Sequence, residues 1–298
     1  MDLDLGQLRA LSAAVSEGTL EAAARALHVT PSAISQRLRA LEVATGRVLL
    51  VRSRPVQVTE SGEALLRLAR QVELLARDTA AELGAGAEQE TTTLPIAVNA
   101  DSLSTWVLPA LASAAGPVSF DLHRDDEEHT AALLRSGAVV AAITAAPVAV
   151  PGCSVTALGT MRYRPTASPA FARRWLPDGP TPAALAVAPV VVFDRKDDLQ
   201  HRYLRGRLPA GAQPPAHSVP SSADFLAAVR LGLGWGMLPD LQTRRGGADD
   251  PGDLVVLDPA ATTDVSLYWQ QWKLRSPSLD RIASAVVAAA REHLLQPR

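Results

Sequence analysis

The sequence predicts an α/β protein with a small helical domain at its N-terminus, and three observations support this fold class. Residues 3–83 carry mainly helical periodicity, with apolar residues three and four positions apart. From Leu94 onward, short apolar runs alternate with helical stretches, a pattern typical of a mostly parallel sheet covered by helices. Residues 84–93, GAGAEQETTT, are small, polar and aperiodic, so we expect a linker there.

Composition limits the class of protein. The chain has 298 residues, 47% of them apolar, which is enough for two or three domains with sizeable cores. Cys153 is the single cysteine, so no intramolecular disulfide can form, which fits a reducing compartment. The N-terminus has no secretory signal, and the longest apolar stretch is short and broken by Pro147. We therefore expect a cytoplasmic protein with no membrane partner.

Positive charge is concentrated near the N-terminus, although the net charge of the whole chain is −2. Between Arg25 and Arg70, eight arginines stand against three glutamates, a local excess of five positive charges. This asymmetry is typical of a small domain that contacts phosphate.

Residues 27–42, LHVTPSAISQRLRALE, predict a short helix with one apolar and one polar face. Thr30 can cap this helix and Pro31 fits its first position. An alanine-rich helix precedes it across a tight turn, and this arrangement is the helix-turn-helix that reads the major groove. The candidate DNA-contacting residues here are Thr30, Pro31, Ser32, Ser35, Gln36, Arg37 and Arg39. An ordinary surface helix remains the alternative.

Residues 48–58, VLLVRSRPVQV, predict two short strands joined by a Ser-Arg-Pro turn. Arg52 and Arg54 lie at the tip, where a basic wing can contact the DNA backbone beside the helix. A solvated hairpin is the alternative interpretation.

A longer helix is predicted from Glu60 to Leu83, and its apolar residues alternate three- and four-residue steps. The predicted dimerisation residues are Leu65, Leu68, Val72 and Leu75, with Thr79 continuing the seam. The alternative is packing on the core of the same chain. A dimer would place two recognition helices on one face of a duplex, about one helical turn or a multiple of it apart.

The segments AAARALHVTPSAISQRLRALE, GRVLLVR and VTESGEALL resemble the winged helix-turn-helix of LysR-type transcriptional regulators. The resemblance implies a linker helix and a two-lobed effector domain like periplasmic solute-binding proteins. The implied ranges are 1–59 for the winged helix-turn-helix, 60–83 for the linker and dimerisation helix, 84–93 for a linker, 94–163 with 268–298 for lobe I, and 164–267 for lobe II. The implied partners are double-stranded promoter DNA, a small-molecule effector and a second copy in a homodimer or homotetramer, with RNA polymerase as a candidate.

Ligands of open α/β sheets bind beyond the carboxyl ends of strands, near helix N-termini. Asn99–Trp106 follows one such strand and offers Ser102, Ser104 and Thr105 at a helix start, although simple capping by Asp101 or Ser102 is the alternative. Asp125–Thr130 follows another, and capping of the next helix is again the alternative.

Two further junctions exclude other chemistry. Asp194–Asp198 has three aspartates, but Arg195 and Lys196 between them oppose a dense cation site, so we expect no metal. The GxGxG at residues 232–236 follows a helix and leads into a strand, which is the reverse of a dinucleotide-binding fingerprint, so we expect no nucleotide site there. We expect these glycines to shape a turn that brings Trp235 to the ligand crevice beyond the strand ends.

Acidic residues recur at these junctions after the predicted strands. Their carboxylates suit a zwitterionic ligand with an extra positive charge. The segments VNADSLSTW, DDEEHTAALLRSG, MRYRPTASPAF, FDRKDDLQ, GLGWGMLP and LYWQQWKL resemble the ArgP/LysG-like branch of LysR-type regulators, which senses lysine or arginine and controls amino-acid export. This resemblance implies lysine or arginine as effector, with histidine as a further candidate, and no cofactor. The implied effector-binding residues are Asp101, Ser102, Ser104, Thr105, Asp126, Thr144, Asp194 and Trp235.

We therefore expect a ligand-responsive DNA-binding regulator, with 161–165 and 267–272 as hinges between the lobes. The absence of a signal peptide opposes a plain solute-binding protein, and the absence of G-x-S-x-G, P-loop, H-E-x-x-H and paired-cysteine motifs opposes an enzyme. An architectural DNA-binding protein that inhibits replication initiation remains the alternative, and a footprint restricted to a few promoters would distinguish the two.

Overall fold

The structure is a computed structural model that describes residues 3–51, 53–83, 92–116, 118–124, 127–209, 211–243 and 253–297. The chain divides into two compact units. Unit 1 comprises Met1–Val98, Ala114–Thr156 and Trp269–Ser284, and unit 2 comprises Asn99–Ser113, Ala157–Tyr268 and Ala285–Arg298. In the part of the chain that is described, no helix is both long and apolar enough to cross a membrane.

The helices and strands include those expected from the sequence and several others, β6 among them. The helices are α1 (Leu5–Ser16), α2 (Leu20–Ala26), α3 (Pro31–Thr45), α4 (Glu60–Glu82), α5 (Ala100–Ser102), α6 (Leu108–Ala114), α7 (Glu127–Ser136), α8 (Pro169–Trp175), α9 (Pro182–Val187), α10 (Leu199–Leu204), α11 (Ser222–Arg230), α12 (Asp240–Thr243) and α13 (Pro277–His293). The strands are β1 (Leu50–Val51), β2 (Gln57–Val58), β3 (Thr92–Val98), β4 (Val118–Arg124), β5 (Ala141–Thr144), β6 (Cys153–Ala167), β7 (Val190–Val192), β8 (Ala216–Ser218), β9 (Gly236–Pro239), β10 (Val255–Val256) and β11 (Thr263–Trp272).

The N-terminal part of unit 1 is a bundle of α1, α2, α3 and the first half of α4 around one apolar core. Leu11, Ile34 and Leu41 are fully buried in this core. The antiparallel pair β1–β2 follows α3, so the predicted helix-turn-helix and hairpin are both confirmed.

Local sequence determines both ends of α3. The hydroxyl of Thr30 accepts the backbone N–H of Ala33 at 3.2 Å, and Pro31 occupies the first turn, so the predicted cap is confirmed. His28, in the turn before α3, has a positive φ of 52°. Gly46 ends the helix with a φ of 64°, a backbone conformation that glycine adopts without steric cost.

Helix α4 contributes to more than the N-terminal core. Leu65, Leu66 and Ala69 are buried in that core. Leu65, which the heptad pattern assigned to the dimer seam, therefore packs on its own chain. Leu68 is partly buried at the edge of the core, and Leu75 is 38% exposed.

The remainder of unit 1 contains a parallel sheet. Strand β3 pairs in parallel with β4 and with β5, and α7 packs against both β3 and β5. The parallel α/β pattern predicted from the alternation of apolar runs and helices is confirmed here, because each crossover carries a helix.

Unit 2 has both parallel and antiparallel pairs. Strand β7 pairs in parallel with β8, but β6 pairs antiparallel with β9 and with β10. The expectation of a mostly parallel sheet is therefore wrong for β6. The boundary between unit 1 and unit 2 falls within this 15-residue strand, between Thr156 and Ala157. A parallel neighbour would need a crossover connection, usually a helix, whereas antiparallel strands do not.

Glu73 is an ionisable residue in the packing of α4 against α1. Its Oε2 accepts the hydroxyl of Ser12 at 3.1 Å. Burial raises the pKa of Glu73, and this outweighs the lowering by the Ser12 hydrogen bond and by the nearby charges of Arg77, Arg70 and Arg9.

We expect Glu73→Gln to raise the melting temperature at pH 7. A carboxyl whose pKa is raised by folding destabilises the folded state when it ionises, and this cost disappears below the ordinary pKa of 4.5. The gain should therefore shrink to nothing as the pH falls through that value in thermal unfolding curves. Glu82→Gln, at an exposed position on the same helix, is the control and should change nothing. A lower melting temperature for Glu73→Gln at pH 7 would contradict the prediction.

Candidate functional site

The polar face of α3 is open to a partner. Ser32, Ser35, Gln36 and Arg39 are exposed, whereas Arg37 is half-buried. Hydrogen bonds hold two of the hydroxyls, since Ser32 lies 2.9 Å from the Thr30 hydroxyl and Ser35 donates to the carbonyl of Pro31 at 3.1 Å. This face does not pack against the interior of the chain.

The β1–β2 hairpin presents an arginine beside this helix. Arg54 is exposed in the turn between the strands, and Arg52 lies outside the described residues. The base of the turn is fixed to the helical domain, because the backbone N–H of Val56 donates to the carbonyl of Gly18 at 2.8 Å. An anchored hairpin with an exposed basic tip has the form expected of a DNA-contacting wing.

In unit 2, a cluster of polar side chains surrounds Asp101. The Tyr163 hydroxyl donates to one carboxylate oxygen at 2.8 Å, and the Ser222 hydroxyl donates to the other at 2.6 Å. The side-chain amide of Gln242 donates to Ser222 at 2.6 Å and to Ser104 at 3.2 Å. The carboxylate is therefore held by neutral donors, and the ion pairs among the described residues do not include Asp101.

The backbone around Asp101 departs from a regular α-helix. A π-helical turn, Leu103–Val107, connects α5 to α6. The hydroxyls of Ser104 and Thr105 donate back to the main-chain carbonyl of Asp101, at 3.1 and 2.5 Å. Such turns occur often at functional sites, and here the hydroxyls satisfy a carbonyl of the irregular segment.

Several buried acceptors lie in the same part of unit 2. Among the described residues, no hydrogen-bond partner reaches Asn99 Oδ1, Ser102 Oγ or Gln242 Oε1. Buried polar atoms of this kind usually bind a ligand or ordered water. Together with the Asp101 carboxylate they form an acceptor-rich environment, which matches a ligand with N–H donors.

The electrostatics of Asp101 are dominated by burial, which raises the pKa of its carboxyl. The hydrogen bonds from Ser222 and Tyr163 lower that pKa, and the negative charge of Asp197 raises it further. A cation at this place would relieve both the desolvation of Asp101 and the repulsion from Asp197.

The other predicted effector residues have contacts or positions of their own. Asp194 shapes its own loop, because one carboxylate oxygen accepts the backbone N–H groups of Lys196 and Asp197 at 2.8 and 3.1 Å. Trp235 is completely buried, with its ring edge-on to Tyr203 at a centroid distance of 5.3 Å. Thr144 is buried at the end of β5 in unit 1, and Asp126 lies outside the described residues.

Three members of the Asp101 cluster were not predicted as effector residues. Tyr163 appeared only within a predicted hinge, and neither Ser222 nor Gln242 belongs to a recognisable motif. The serine pair at the start of α11 carries a capping signal, since Ser221 caps that helix, but nothing in the sequence connects it to Asp101. No group of three or more His, Cys, Asp or Glu side chains suited to a metal occurs within the described ranges.

Family models match two parts of the chain. Residues 5–63 match the model of the bacterial regulatory helix-turn-helix protein, lysR family, and residues 87–294 match the LysR substrate binding domain. The chain belongs to the LysR family. It is a LysR-type transcriptional regulator, as its resemblance to that family implied, and the predicted combination of a DNA-binding domain with an α/β effector domain is confirmed.

Individual LysR-type relatives match almost the whole chain. LysG of Mycobacterium bovis, an HTH-type transcriptional regulator, is 46% identical over 289 residues, which are 97% of this chain and 94% of that protein. LysG of Corynebacterium glutamicum, named a lysine export transcriptional regulatory protein, is 42% identical over 292 residues, 97% of this chain and 98% of that protein.

Solved structures of such regulators have the same fold. The crystal structure of ArgP from Mycobacterium tuberculosis has a TM-score of 0.86 at 45% identity, covering 100% of both chains. Full-length LysG from Corynebacterium glutamicum with bound effector Arg has a TM-score of 0.77 at 40% identity, covering 99% of this chain and 100% of that chain.

We expect Arg39→Ala and Arg54→Ala to weaken DNA binding and to lower its salt dependence. Each phosphate contact contributes about 0.9 to the slope of log affinity against log salt, so each variant should lose about that amount. Fluorescence anisotropy on DNA upstream of the protein's own gene, at several salt concentrations, measures both quantities. Arg77→Ala, at an exposed position on α4, should keep the wild-type slope. A wild-type slope in the Arg54 variant would exclude the hairpin from DNA contact.

Proposed function

We propose that this LysR-type regulator responds to a basic amino acid, lysine or arginine, and controls a gene of amino-acid export or metabolism. The observation that carries the proposal is the Asp101 cluster. It combines the desolvated carboxylate of Asp101 with the nearby negative charge of Asp197, which raises the pKa of Asp101. It also has buried acceptors without partners among the described residues.

The chemistry of this cluster favours a cation over a neutral ligand. Ammonium and guanidinium groups only donate hydrogen bonds, and Asn99 Oδ1 and Gln242 Oε1 are acceptors that lack partners among the described residues. Charge-assisted hydrogen bonds to a carboxylate are roughly twice as strong as neutral ones. A basic amino acid carries two such cationic groups, so it can use both Asp101 and the field of Asp197.

One relative supports the ligand class on two grounds. The Corynebacterium glutamicum LysG structure contains arginine as its effector, and that protein's name refers to lysine export. Because this chain is 40% identical to that LysG over nearly its whole length, we infer that the same class of effector acts here.

We further propose that α3 enters the major groove and that the chain acts as a homodimer through α4. Leu68, Val72 and Leu75 form an apolar stripe on α4 that remains partly or largely exposed in one chain. Such a stripe at three- and four-residue spacing can pack against its copy in a second chain. A two-fold dimer would then present two recognition helices to successive turns of one DNA face.

Regulation requires that the amino acid bind one arrangement of the dimer more tightly than another. The ligand then shifts the population towards that arrangement, by at most its difference in affinity for the two. No covalent step is needed.

We expect Asp101→Asn to lower arginine affinity by about tenfold to a hundredfold, because a charge-assisted hydrogen bond becomes a neutral one. Isothermal titration calorimetry measures the affinity directly. For the wild type, affinity should also fall as the pH is lowered, and at a higher pH than an ordinary aspartate would produce, because burial raises the pKa of Asp101. Asp224→Asn, exposed on α11, is the control. Undiminished affinity in the Asp101 variant would remove this residue from the effector site.

Leu75→Gln should weaken dimerisation at least about tenfold, because each copy would bury a polar amide in an apolar seam. Analytical ultracentrifugation gives the dissociation constant of the dimer. Arg77→Gln places the same side chain on another side of α4, roughly 200° around the helix, and should leave the constant unchanged. An unchanged constant for Leu75→Gln would place the dimer interface elsewhere.

A further inference from the structure

Arg70 lies where three parts of unit 1 meet. It belongs to α4, and one guanidinium nitrogen donates to the backbone carbonyl of Gly137, directly after α7. Another nitrogen donates to the hydroxyl of Ser16, the last residue of α1, at 3.0 Å. A single side chain therefore joins the DNA-binding bundle, the linker helix and the effector part of unit 1.

The charge of Arg70 is balanced by residues from different elements. Burial lowers the pKa of the guanidinium, while the negative charges of Glu73 on α4 and Asp121 on β4 raise it. The carbonyl that it contacts lies at the C-terminal end of α7, where the helix dipole attracts cations. The contact thus combines a desolvated positive charge with acceptors that favour it.

Further contacts hold the same side of α4 against the effector part of unit 1. Arg67 donates to the backbone carbonyl of Arg135 at 3.3 Å, and Asp78 accepts the hydroxyl of Ser278 at 2.7 Å. Gly137 has a φ of 77°, and a Cβ atom on it would lie only 2.8 Å from the Cα of Arg67. Close packing of α4 on the end of α7 therefore requires glycine at this position.

The contacted segment continues into an element with a predicted effector role. After Gly137 the chain enters β5, which ends at Thr144, one of the residues expected to line the effector site. On the other side, Ser16 ends α1, and α1 packs directly against α3. Arg70 hydrogen-bonds to both of these segments and so links them directly.

We propose that Arg70 couples effector binding to DNA binding by tying the α7–β5 segment to α1. This inference rests on the proposed amino-acid response. When the effector biases the α7–β5 segment, the Arg70 contacts transmit the change to α1 and so to the placement of α3. Without Arg70, each ligand should still bind, but neither should affect the affinity for the other.

A thermodynamic cycle on the full chain tests the coupling. Arginine affinity is measured by calorimetry with and without the DNA upstream of the gene, and the ratio is the coupling factor. Coupling of this kind is typically about 5- to 150-fold, and it is reciprocal between the two ligands. We expect Arg70→Gln to reduce the factor to within about twofold of one while arginine affinity of the free protein stays within about threefold of wild type.

Matched variants distinguish the loss of the Arg70 contacts from the mere loss of one positive charge on α4. Arg77→Gln removes an exposed arginine of the same helix and should keep the wild-type coupling factor. Gly137→Ala keeps Arg70 but forces α7 away from Arg67, so it should also uncouple the two ligands. Circular dichroism and a cooperative melting transition confirm that each variant is folded.

Hydrogen exchange provides a readout that needs no ligand. Arg70→Gln should raise amide exchange both in residues 134–140 and at the C-terminal end of α1, whereas Arg77→Gln should raise neither. Unchanged exchange in both segments, or a wild-type coupling factor in folded Arg70→Gln, would overturn the inference. If the wild type binds no basic amino acid, the proposed function fails, and the exchange result still decides whether Arg70 ties the two segments.

Discussion

The structure of unit 1 depends on one constraint: a single helix, α4, must satisfy two sets of partners and keep a third, apolar face accessible. Leu65 and Leu66 complete the N-terminal core, and Arg67 and Arg70 face the effector part of the same unit. The apolar stripe containing Leu75 stays accessible. Because successive residues are about 100° apart, these faces interleave along the sequence. A rotation of the helix that improved one set of contacts would disrupt the other and bury the apolar face.

The Asp101 cluster applies a different constraint, which is the cost of burying an unpaired charge. Tyr163 and Ser222 provide hydrogen bonds but no compensating charge. Burial and the charge of Asp197 both oppose ionisation. Ionisation of Asp101 is therefore costly when no cation is close to it. A cationic ligand would offset this cost, and the offset would favour its binding. The neutral donors fix the geometry of the carboxylate but do not neutralise its charge.

Elements with local signals could be predicted, and features that depend on tertiary structure could not. The cap at Thr30, the hairpin and the long helix after Glu60 follow from capping chemistry and periodicity. Strand β6 was missed because its half-buried and buried residues alternate only over residues 160–165, while residues 154–159 show no alternation. Heptad spacing could not tell a dimer seam from the core of the same chain, which is the ambiguity at Leu65. The partners of Asp101 are 62 and 121 residues away in sequence, beyond any local pattern.

The burial of Leu65, Leu66 and Ala69 affects how the protein can be divided into fragments. The helix-turn-helix match ends at residue 63, before all three of these side chains. A fragment truncated at that point would lose part of its apolar interior, including the side chains of α4 in a bundle where α4 packs on α1. An autonomous DNA-binding piece must therefore include at least the first three turns of α4, and a sequence-based boundary is not a folding boundary in this chain.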